Sequence, residues 1–137
     1  MRVLKSLALG AVLAVSAVTA QANAGPGLAA EKEINDGLLV IAVADKIRRE
    51  CSDISARFLT ARSYLGSLKD AAAGKGYTEA EINAYINDDA EKAKMRDRRN
   101  AYFKARGASN HDAASLCALG RAEIQKQSQI GLLLRTK

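Results

Sequence analysis

The chain has 137 residues, with 21 lysines and arginines against 15 aspartates and glutamates, one histidine and two cysteines. That length suits one small domain, and a single histidine leaves too few ligands for a zinc centre. No Gly-rich phosphate loop, nucleophile elbow or H-E-x-x-H motif occurs, so neither an enzyme nor a cofactor is expected.

Residues 1–24 read as a secretory signal peptide. Arg2 and Lys5 form a positive n-region, and Ser6 to Ala20 is an apolar run of h-region length, about 15 residues and short for a membrane span. Ala20-Gln21-Ala22 and Ala22-Asn23-Ala24 are overlapping small-residue cleavage sites, with cleavage after Ala24 favoured. Removing those 24 residues leaves 113, carrying 19 basic and 15 acidic residues for a net charge of +4. Export to the periplasm removes nucleic acid as a natural partner and leaves anionic envelope components as electrostatic candidates. The longest apolar run beyond the leader, Gly37 to Ala44, is far too short to span a membrane.

Residues 25–35 are expected to be a flexible lead into a single helical domain over 36–137. From Val40 to Ala72 the apolar positions Val40, Ala44, Ile47, Cys51, Ile54, Phe58, Ala61, Leu65, Leu68 and Ala72 alternate in steps of four and three. With Asp36 as N-cap and the Gly74 and Gly76 region as a stop, this unbroken register favours one helix over 37–73. Two helices meeting near Cys51-Ser52-Asp53 are the alternative, because Ser52 and Asp53 cap well. Thr78 and Glu81 fit a capping box for a short helix burying Ile82, Tyr85 and Ile86. Asn87 or Asp88 then starts a helix carrying Ala93, Met95, Tyr102 and Phe103 that ends at Gly107. After a polar loop, a last long helix begins near Asp112 and runs to about Gln127, and the tail with Ile130, Leu132, Leu133 and Leu134 docks on the core. The expected fold is all-α, a small domain of four or five helices.

Cys51 lies between Arg48, Arg49 and Arg57, a setting that would suit an activated thiolate or a metal ligand. With Cys117 as the only other cysteine in an exported chain, a structural disulfide is the favoured reading. The arginines then form a solvated face pairing with Asp45, Glu50 or Asp53. Residues 92–106 carry seven basic residues and one acidic residue, and Lys92, Arg96, Arg99 and Arg106 share a helical face that could meet an anionic surface. Acidic residues at the start of that helix and basic ones at its end also match the helix dipole without any ligand. His111, in a polar loop, reads as solvent-exposed, and the four tyrosines as core-edge residues.

The segments DGLLVIAVADKIRREC (36–51), GYTEAEINAYINDDAEKAKMR (76–96) and SLCALGRAEIQKQSQIGLLLR (115–135) resemble a domain-of-unknown-function family of small exported alphaproteobacterial proteins of the rhodobacter-like group. The resemblance covers essentially all of the chain after the leader and implies a compact helical domain with this cysteine pair. The family has no assigned activity, so no functional residues carry over. The expected function is therefore a non-enzymatic periplasmic protein that binds another protein or an envelope component. A stress or acid chaperone, a toxin-immunity-type inhibitor, and a binder of anionic lipid or lipopolysaccharide through residues 92–106 are the alternatives.

Overall fold

A computed structural model describes residues 27–137; the leader and its cleavage sites lie outside the described residues. The fold begins earlier than its first long apolar stripe. After Gly27, a 3-10 turn over Leu28–Ala30 leads into α1, Lys32–Glu50, and the buried amide of Asn35 ties the two together. Its side-chain N–H donates to Leu28 O at 2.7 Å and Glu31 O at 2.8 Å, while its oxygen accepts the Tyr85 hydroxyl. Residues 28–35 are thus packed, not a flexible lead, and α1 is capped at Glu31, not at Asp36. Lys32, Glu33 and Asp36 dilute the apolar signal there; Asp36 instead pairs with Lys32 and Arg98.

Continuity across residues 37–73 is also corrected. Helix α1 stops at Glu50, Cys51 takes extended dihedrals, and a short strand β1, Ile54–Ala56, precedes α2, Phe58–Gly74. A strand sends alternate side chains to one face, so Ile54 and Ala56 both point inward, and Ile54 alone also fits the spacing of a helical stripe. Their backbone partners are remote. Strand β1 pairs antiparallel with β2, Leu134–Thr136, in the register Ile54 to Thr136, Ser55 to Arg135 and Ala56 to Leu134. The next stripe position, Phe58, is 66% exposed because the helical register does not run through the break.

Local signals place the remaining helices. Thr78 accepts from Glu81 N–H and Glu81 accepts from Thr78 N–H, which starts α3, Glu79–Asn87. Asp88 caps α4, Asp89–Ala105, through Glu91 N–H, and Gly107 at φ +71° turns the chain away. Asp112 caps α5, Ala113–Lys126, which ends on a left-handed Gln127. Ser128 caps the single turn α6, Gln129–Leu132. The domain is all-helical apart from the small ribbon, with five main helices as expected and one further turn.

Helix α1 runs through the middle, against α2 on one flank, α4 on another and α5 and α6 behind. The main core gathers Val43 and Ile47 of α1, Ile54 of β1, Phe103, Leu116 and Leu133. A smaller one joins Leu28, Ile34, Ala72 and Ile82. Two glycines set the close approaches. A Cβ on Gly120 would lie 2.6 Å from Ile47 Cγ2 and 2.7 Å from Ile54 Cδ1, and one on Gly131 would collide with the Glu123 carbonyl. The tail docks as expected through Ile130, Leu133 and Leu134, while Leu132 faces outward. No described helix is long and apolar enough to cross a membrane.

Candidate functional site

Cys51, at the end of α1, and Cys117, on α5, form the expected disulfide, with Cα atoms 5.5 Å apart. Asp53 lies beside the two sulfur atoms, but its carboxylate accepts from Arg121 at 2.8 Å. Arg48 and Arg49 do not address the sulfur either. Both reach Asp45, at 2.6 and 2.7 Å, one helical turn back. The sulfur pair therefore closes the fold, and the arginines beside it belong to a different face.

The four basic residues singled out on α4 separate in the structure. Lys92 stays at the surface, 4.0 Å from Asp89, and Arg96 is exposed with no ion pair among the described residues. Arg99 is half-buried; its guanidinium donates to Asn100 and Asn110 at 3.1 to 3.2 Å and lies 6.0 Å from the Phe103 ring centre. Burial lowers its pKa, as do the charges of Arg96 and Arg49, against the pull of Asp45. Arg106 turns away to stack 3.4 Å from the centre of the Tyr102 ring. Tyr102 in turn donates to the buried carboxylate of Glu123 at 3.0 Å. Burial first, and then that hydrogen bond, push its phenol up to about 12. Arg106 thus serves a polar cluster at the α4–α5 junction, while Arg96 and Arg99 join Arg49 and Asp45. His111 is exposed, as expected.

The surface feature missed in the sequence is a trough along α1. Residues Leu38, Ile41, Ala42 and Asp45 lie on the side of α1 opposite Val43 and Ile47, and none of the four is buried. They form a floor between two walls. At one end a cavity of about 220 Å³ is bounded by Ile41, Asp45, Arg48, Phe58, Ala61 and Leu133. At the other, a cavity of about 240 Å³ is bounded by Leu38, Ile41, Asp45, Tyr85, Ile86 and Met95, with Glu91 and Lys92 at its edge. Ile41 and Asp45 border both, so the two cavities adjoin along α1, and the surface they make together is termed the trough. Phe58 stands at its lip beneath Arg48, whose guanidinium carbon is 5.5 Å from the ring centre. A signal for this trough was present in Gly37 to Ala44, where apolar residues run all the way round the helix. Val43 and Ala44 are buried in the core; Leu38 and Ile41 pack on its edges and, with Ala42, keep part of their surface open.

Apolar floor and walls with charged groups at the lip make a surface suited to binding. Asp45, the one carboxylate at the trough's centre, is held by two guanidiniums. The model of a protein family matches residues 26–135 of the chain. The chain belongs to the DUF5333 family. That family is described as one of unknown function, so membership assigns no chemistry to the trough. No curated protein and no solved structure matches the chain.

Proposed function

We propose that this DUF5333 protein is a non-enzymatic binding module acting outside the cytoplasm, with the trough along α1 as the surface that holds a protein segment or envelope component. The observation that carries this reading is the partly buried apolar floor of Leu38, Ile41 and Ala42, which lines the two adjoining cavities. Contiguous apolar surface left open by a folded domain marks an interaction site more often than scattered single residues do. The leader-like residues 1–24 support export to the periplasm, and a disulfide suits an oxidising compartment. The test is a photo-crosslinking amino acid placed at Ile41 and, as a control, at exposed Ala73 on α2, in the producing cell. A defined adduct at position 41 and none at 73 is the expected result. Equal labelling at both positions, or none at 41, rejects the trough as the binding surface.

A second reading, an anionic-surface binder, draws on the exposed Lys92 and Arg96 of α4. Neutralising Lys92, Arg96 and Arg99 together should weaken retention on anionic liposomes and flatten its salt dependence. Unchanged retention would dispose of this version.

A further inference from the structure

We infer that the trough along α1 receives a helix of another protein, one that presents an apolar stripe bordered by carboxylates. The inference rests on the binding-module reading and names the partner's chemistry.

Shape comes first. From Leu38 to Arg48 the floor follows α1 for about 15 Å at the usual rise per residue, roughly three helical turns. Helix-in-groove recognition uses anchors at i, i+3 or i+4, and i+7, spread over about that length. The two cavities share Ile41 and Asp45 and so adjoin on α1, within reach of successive anchors of one helix. A bilayer surface fits less well. The floor residues lie between the α2 wall, with Phe58 and Ala61, and the wall formed by Tyr85, Ile86 and Met95. A flat surface would rest on those walls and leave Ile41 untouched.

Charge then selects the partner. Asp45 receives both Arg48 and Arg49, and its field also acts on Arg99, which is repelled by Arg96 and Arg49. Two guanidiniums thus share one carboxylate, with Arg99 within reach of its charge and Arg96 close enough to Arg99 to repel it. At the other cavity, Glu91 is already paired with Lys94 at 2.8 Å, and Lys92 has only a loose pair, 4.0 Å from exposed Asp89. The lip is therefore positive beyond what its own carboxylates neutralise. Carboxylates brought in beside an apolar stripe would relieve that repulsion, and like charges would be rejected. Phe58 adds an apolar anchor whose neighbour, Arg48, can bond a carboxylate at the same step.

The test uses the purified protein and two synthetic helical peptides with one shared Leu stripe, flanked by Glu in the first and by Lys in the second. Fluorescence anisotropy should show the Glu-flanked peptide binding at least about ten-fold more tightly, with the preference shrinking as salt is raised. Arg96→Glu, which breaks no ion pair among the described residues, should narrow the preference, and Arg48→Glu with Arg96→Glu should reverse it. Ile41→Asp should abolish binding of both peptides while circular dichroism stays unchanged. Equal binding of the two peptides overturns the charge selection and leaves the module reading standing. If neither peptide binds, the helical occupant is rejected, and the crosslink at Ile41 in cells decides separately whether the trough is used at all. Retention on anionic vesicles that survives Ile41→Asp would put a bilayer in the helix's place and overturn the inference.

Discussion

Reducing the Cys51–Cys117 bond removes a constraint on the unfolded chain while leaving most folded contacts in place. The two residues are 66 apart in sequence, and closing a loop of that length should stabilise the fold by about 4 kcal/mol on the chain-entropy account. Nearby contacts cannot substitute for it. The Arg121–Asp53 pair is half-exposed and worth under about 1 kcal/mol. The β1–β2 ribbon and the Lys137 N–H to Asp53 O bond at 3.0 Å persist only while the domain is folded. With a urea m-value of about 1.5 kcal/mol/M for a domain of this size, the unfolding midpoint should fall by about 3 M on adding reductant. Reduction is a cleaner perturbation than Cys-to-Ala replacement, which would also open a cavity beside Ile54 and Leu116. The readout is far-UV circular dichroism against urea, with free thiols titrated in parallel. A fall of less than about 0.5 M with full reduction would refute the loop-constraint reasoning. The bond would then only secure the local ribbon, and amide exchange confined to β1 and β2 would show it.

Gly131→Ala should cost about 2–4 kcal/mol, since its methyl group would meet the backbone of Glu123, which cannot rotate aside; Gly120→Ala, meeting side-chain carbons of Ile47 and Ile54, should cost about 1–3 kcal/mol. Gly66→Ala, in the interior of α2 with open space around it, should instead be neutral or stabilising by up to about 1 kcal/mol, and thermal melts of all three check the order. Tyr102→Phe should lose about 1–3 kcal/mol by taking the hydroxyl donor from buried Glu123. The same phenol also sets an alkaline limit. Its pKa is raised in the folded state to about 12, so the neutral form is favoured by folding. That contribution is fully present below the ordinary phenol pKa of about 10 and is lost as pH climbs toward 12. Urea midpoints across that range should fall less steeply in Tyr102→Phe, and an identical slope would detach the loss from this residue.

Caps were legible in the sequence because they are local. Thr78, Asp88 and Asp112 each act on a backbone N–H three residues ahead, so the residue type and spacing carry the whole signal. The cysteine pair was legible through its even count and the leader-like N-terminus. The break after Cys51 was not, since β1 is a strand only because β2 arrives from the far end of the sequence to pair with it. Ile54 points inward in the strand and also fits the four-three spacing of a helix, so periodicity could not distinguish the two there. The start of α1 was hidden because Asn35, a polar residue, is buried by bonding to the carbonyls of Leu28 and Glu31. The trough was half-visible. The excess of apolar residues in 37–44 could be counted, but which of them stay open depends on α2 and the α3–α4 junction standing apart over α1.

The position of α5, α6 and β2 late in the chain also sets an order of events in folding. Val43 and Ile47 of α1 and Ile54 of β1 meet their packing partners Leu116, Leu119, Ile130 and Leu133 only after that last stretch, residues 113–137, is present. Helices α1 to α4 can form from local signals before then, but their inner faces stay uncovered and the edge of β1 stays unpaired. Non-local closure of this kind slows folding and leaves an interval in which sticky surface is shown to other chains. A truncation that removes only α6 and β2 should therefore do more than shorten the protein. It would hold the chain in that interval, with nearly full helix content and a strong tendency to aggregate.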